Sequence, residues 1–256
     1  MKNRSIAAQL VVGIFLTTLT LSLTACRVLY KTPEYNFAGR PIPPSQMLQR
    51  VLATYTEGGL SGGAQMLDGL RDLRGNIQNT KPSFPISGFS APEPTTIFNF
   101  PEQTHGYVLS ATTGYLININ YSTETGTGNA AAFSAQPASV VAASNGAIFA
   151  AASSLSSQLQ VEAGGGTYVL NLPNVYRVAM NPGNTIILAM VRNSNTLYRV
   201  IQLPATATPV IPPGSIDCEP QLLPVFCVVP VPGTYDHPTN ASFSLDGNSV
   251  YVLNCG

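Results

Sequence analysis

Val178-Ala-Met-Asn-Pro-Gly183-Asn-Thr-Ile-Ile-Leu-Ala189, then Asn193-Ser-Asn195, then Leu197-Tyr-Arg-Val-Ile-Gln-Leu203, decides the fold. β-branched and aromatic residues alternate with others, and each run stops at Gly or Asn, so the stretch spells strand, Gly turn, strand, polar turn, strand. No helix is needed. The unit recurs at Ala241-Ser-Phe-Ser-Leu-Asp246-Gly247-Asn-Ser-Val-Tyr-Val-Leu253. A weaker copy is Ala138-Ser-Val-Val-Ala-Ala-Ser-Asn145-Gly146-Ala-Ile-Phe-Ala150, followed by Gln158-Leu-Gln-Val161. Further copies are Thr96-Ile-Phe-Asn-Phe100 with His105-Gly106-Tyr107 and Gly114–Asn120, and, earliest, Val51–Tyr55 with Ala64–Gly69.

Anchoring on these units gives Val51, Tyr107, Ile148, Ile186 and Val250. The middle anchors lie about 40 residues apart, the blade period of β-propellers. The longer intervals hold Pro-rich insertions at residues 79–94 and 204–239, which loops absorb at little cost. The expected fold is all-β: propeller-like repeats of four-stranded antiparallel meanders, about four blades plus a partial one. A sandwich, the competing all-β architecture, predicts no fixed period. Because the last unit holds one strand after its turn, the expectation is a fragment or early-terminated form of a longer propeller.

Phe243-Ser-Leu-Asp-Gly-Asn-Ser-Val-Tyr-Val-Leu-Asn254 resembles the repeat turn of YVTN-type, lactonase-like β-propellers, and Val51–Thr54 with Gln65–Gly69 resembles that family's first strand pair. The resemblance spans about residues 48–256 and rests on scaffold residues, with Asp246 and Gly247 shaping a turn. It implies a propeller. It also leaves an enzyme as the rival class, since such propellers host hydrolysis and related ones carry redox cofactors.

The N-terminus has Lys2 and Arg4, an apolar stretch Ile6–Leu23 and then Leu23-Thr24-Ala25-Cys26. A basic start and an apolar core ending in small residues read as a secretory signal, and the cysteine after Leu-Thr-Ala resembles a bacterial lipobox. The resemblance implies a signal peptide over 1–25 and lipidation of Cys26; Pro33, Pro41, Pro43 and Pro44 then mark a Pro-rich tether over 26–46, and the repeats a propeller-like domain over 47–256. A transmembrane anchor is the alternative, but an apolar core of about 18 residues is at the lower limit for spanning. One acyl chain holds marginally and two hold stably, so a diacylated cysteine anchors without a crossing helix. Arg27 follows Cys26 where an Asp would mark inner-membrane retention in such lipoproteins, so the expected address is the bacterial cell envelope, with the outer membrane favoured.

Lys2 and Arg4 leave with the signal, which takes the formal charge from zero to −2 and leaves no basic surface for nucleic acid. An exported compartment permits disulfides among Cys218, Cys227 and Cys255. Cys218 and Cys227 bracket a short Pro-containing loop and are expected to pair. Cys255 is then free, or pairs beyond this sequence. With two histidines, His105 and His237, and no Cys-x-x-Cys, no metal site or cofactor is expected. Gly59-Leu-Ser61-Gly-Gly63 matches a nucleophile elbow, with Asp217 or Asp236 and His237 following in chain order. Too few residues precede Ser61 for the strands such a hydrolase needs. The expected function is therefore a non-catalytic scaffold or binding module for protein or glycan; a lactonase-like hydrolase is the first alternative and a serine hydrolase using Ser61 the second. No catalytic residue is assigned.

Overall fold

The computed structural model describes residues 41–47, 49–58, 61–69, 83–133, 136–153, 155–204, 209–219 and 224–255. The signal segment, Cys26 and most of the tether lie outside them. Among the described residues every regular element is a strand.

Five antiparallel sheets succeed one another in chain order. The first holds β1 (Arg50–Glu57), β2 (Ser61–Asp68) and β3 (Ser83–Pro85). The second holds β4 (Pro94–Asn99), β5 (His105–Ser110), β6 (Tyr115–Asn120) and β7 (Thr125–Ala132). The third holds β8 (Ser139–Ala142), β9 (Ile148–Ser153), β10 (Gln158–Ala163) and β11 (Gly166–Asn171). The fourth holds β12 (Val175–Met180), β13 (Ile187–Val191), β14 (Leu197–Gln202), β15 (Asp217–Glu219) and β16 (Phe226–Pro230), and the fifth β17 (Pro238–Phe243) and β18 (Val250–Asn254).

Alternation along the second strand of each sheet explains why the sheets stack in series. Side chains point to opposite faces with a period of two. On β5, Tyr107 and Leu109 pack toward Phe149 and Ala151 of β9, while Val108 packs the other way, toward Ala64 and Met66 of β2. On β9, Ala150 and Ala152 turn instead to the fourth sheet, where Val178, Ile187, Ala189 and Val200 meet them. On β13, Leu188 and Met190 face Ala241 of the fifth sheet. Each of these four cores is thus sandwiched between consecutive sheets, and the second strands β5, β9 and β13 are buried on both faces. This serial stacking is a propeller arrangement; a sandwich would share one core between two layers.

The insertions are more regular than expected. Residues 83–85 of the first form β3, and β16 of the second takes the fourth position of its sheet with β15 added outside it, in the order β12-β13-β14-β16-β15. Cys218 and Cys227 are register partners on β15 and β16 and form a disulfide, so the expected pair clamps an extra strand to the fourth sheet. Cys255 is free and exposed. The turn at Asp246 also matches its reading: Gly247 adopts φ 72°, and hydrogen bonds from Ser244 and then Asn248 hold the Asp246 carboxyl below its usual range.

Residues 43–47, at the end of the expected tether, are packed down. Pro43 and Met47 are buried. Ser45 donates through its backbone N–H and its hydroxyl to the Glu124 carboxylate, both at 2.6 Å. Arg50 of β1 completes the cluster, with Nη1 3.1 Å from Glu124 and a further bond to the Tyr121 carbonyl. Tyr121 is buried beside it, donating to Asn99, and burial, opposed by Arg50, pushes its phenol up to about 12. Gly106 has to be glycine here, since a Cβ would run into the Tyr121 hydroxyl and the Phe98 carbonyl.

Candidate functional site

The innermost strands β4, β8, β12 and β17 share one register over their last four residues. Each ends on a pair with the next strand: Asn99 with Gly106, Ala142 with Phe149, Met180 with Ile187, Phe243 with Val250. Three residues earlier, the paired positions are Thr96, Ser139, Arg177 and Asn240. All four are polar, and all four line a cavity of about 700 Å³ on the axial side of the sheets. Its volume is that of a small-molecule site. The register shifts just before Thr96, Arg177 and Asn240 are β-bulges, which break strict alternation and re-aim side chains. Tyr176 lines the cavity beside Arg177.

Arg192, just past β13, brings a second guanidinium, its Cζ 5.0 Å from the ring centre of Tyr176. The Tyr176 hydroxyl donates to the Pro238 carbonyl at 3.0 Å. Burial raises its pKa, with Arg177 and Arg192 pulling down and Cys255 adding to the rise, so at neutral pH it remains a hydrogen-bond donor. The described residues contain four arginines and no lysine. Arg50 pairs with Glu124, whereas Arg177 and Arg192 both line the cavity, whose lining contains no Asp or Glu. Ser139 Oγ accepts from the Val178 amide at 3.2 Å and Asn240 Oδ1 from the Ala241 amide at 3.0 Å. These bonds fix both side chains and leave the Ser139 O–H and the Asn240 NH₂ to donate.

The residues singled out in the sequence fall elsewhere. Ser61 opens β2, the second strand of an antiparallel hairpin, and donates to the Glu57 carbonyl at 3.0 Å. The elbow reading needs a helix after the serine; a strand follows instead, because residues 61–68 pair with β1 over their whole length. His105 starts β5, bonded to Thr104 and tilted against Phe100 and Tyr107, each about 5.3 Å away. His237 is exposed and bonded to Asp236 at 2.8 Å. Its positive φ belongs to the repeat. Glu93, Asn174 and His237 all adopt φ between 47° and 60° at the entrance to β4, β12 and β17, and their carbonyls accept from Ala111, Arg192 and Cys255. Cys255 therefore occupies in the fifth sheet the position that Arg192 holds in the fourth. Tyr107, Tyr121 and Tyr168 are buried, and Tyr115 and Tyr251 are exposed.

No protein-family model matches the chain, and no curated protein matches it. Among solved structures it is similar to a candidate 6-phosphogluconolactonase from Bacteroides uniformis, at 14% identity and TM-score 0.42, over 80% of this chain and 60% of that one. A Desulfotomaculum acetoxidans protein of unknown function aligns at 17% identity and TM-score 0.41, over 79% and 72%. Hydrazine synthase of Kuenenia stuttgartiensis aligns at 12% and 0.41, over 83% and 73%. The chain spans about three fifths of the length of the Bacteroides uniformis protein. The fold rests on the sheet order and the inter-sheet cores described above.

Proposed function

We propose that this chain is a membrane-tethered binding module of the bacterial cell envelope, and that its ligand, a glycan fragment, enters the axial cavity. The observation that carries this reading is the belt of Thr96, Ser139, Arg177 and Asn240, which four separate sheets present at one register position to one cavity. Donors on rigid strands lose little entropy when they engage a ligand. A cavity of this size takes a sugar or two and would admit only a side chain of a protein. Cys26 supplies the tether in this reading, as the lipobox-like segment implies.

Two measurements test it. Ser242 is exposed in the cavity lining, so Ser242→Trp fills the cavity from a position the fold tolerates. On an array of envelope glycans the wild-type chain is expected to retain a defined set and Ser242→Trp to lose it; equal retention would remove the cavity from the function. Cys26→Ser is expected to move the protein from the membrane pellet to the soluble fraction. A variant that still pellets with membranes would overturn the lipid anchor.

A further inference from the structure

Taking the axial cavity as the binding site, we infer that it selects ligands bearing an oxyanion, a carboxylate or a phosphate, held by Arg177 and Arg192. In a protein whose described cations are four arginines, two line one cavity, and neither makes an ion pair with a described carboxylate. Charge left unpaired beside a cavity with no acidic lining is complementary to an anion. The cores on either side of the fourth sheet are closed by apolar side chains and include neither guanidinium.

The two guanidinia also differ in preparation. Arg192 is stacked on the Tyr176 ring, which keeps its planar fork oriented while its N–H groups stay free. Arg177 directly follows the bulge in β12, and its exposed side chain is open to a ligand in the cavity. A guanidinium gives a carboxylate or phosphate two parallel hydrogen bonds, and such charge-assisted bonds are about twice as strong as neutral ones. The Asn240 amide, the Ser139 hydroxyl and Thr96 then face the remainder of the ligand, a hydroxylated body such as that of an acidic sugar. The resulting site is graded: cations on the fourth sheet, neutral donors on the second, third and fifth.

The test is calorimetric titration of the full chain in detergent with glucuronate, glucose and inorganic phosphate, repeated on Arg177→Gln, Arg192→Gln and Ser242→Trp. At least one of glucuronate and phosphate is expected to bind, glucose at least about tenfold more weakly, and each arginine variant to lose about tenfold in oxyanion affinity while keeping the wild-type melting temperature. Binding of glucuronate alone assigns a carboxylate ligand, and binding of phosphate alone a phosphate ester. Glucose bound as tightly as glucuronate, with no change in the arginine variants but loss in Ser242→Trp, overturns oxyanion selection and leaves the cavity as the site. Binding unchanged in all three variants places the ligand elsewhere and overturns both readings. Absence of binding by both anions overturns the inference.

Discussion

Glu124→Ala is expected to lower the free energy of unfolding by about 3–5 kcal/mol, the range for removing one member of a buried ion pair. The Glu124 side chain is fully buried and that of Arg50 is 23% exposed, so water does little to screen the guanidinium once its partner is gone. The same substitution strands the Ser45 amide and hydroxyl, which have Glu124 as their acceptor. It therefore unfastens three things at once: the packed end of the tether, β1 and the turn between β6 and β7. Denaturant unfolding of the wild type, Glu124→Ala and the double variant Arg50→Met/Glu124→Met separates the causes. The double variant should recover much of the loss, because it leaves no buried charge behind. A single variant within 1 kcal/mol of wild type would show that the cluster contributes little.

Phe226→Ala is expected to cost a similar 3–5 kcal/mol, the sum of lost transfer energy and a cavity that the surroundings fill only in part. Phe226 is 1% exposed and sits edge-on to Tyr168, ring centres 4.6 Å apart, in the core between the third and fourth sheets. Its neighbour Cys227 is tied to β15 by the disulfide, which holds the strand in place and limits how far the site collapses. Phe226→Leu keeps most of the volume and should cost less than half as much. Thermal melts of the two variants check the order; equal losses would point to a role for the ring beyond filling space.

The strand and turn content was legible because it is local. Asn145-Gly146, Pro182-Gly183 and Asp246-Gly247 mark where the chain must reverse, and the alternating runs around them mark what pairs across the reversal. Spacing then implied serial sheets, which the inter-sheet cores bear out. The order within the fourth sheet was not legible. β15 lies outside β16 because a Pro-rich segment leads the chain back before a cross-strand disulfide pins it, and neither composition nor period encodes that return.

The cavity belt was missed for a related reason. Thr96, Ser139, Arg177 and Asn240 are polar residues in the first half of their strands, and each taken alone reads as an ordinary solvent-facing position. The signal was present as a repeat: a polar residue three before the end of each innermost strand. It gains meaning only when four strands are superposed by their pairing.

Alternation, turn chemistry and period were set by the chain itself, because each depends on neighbours a few residues away. What converges on the axis, and which two of four described arginines go unpaired there, was decided by sheets closing on one another. Side chains dozens of residues apart share a cavity only once the apolar faces between them have been removed from water.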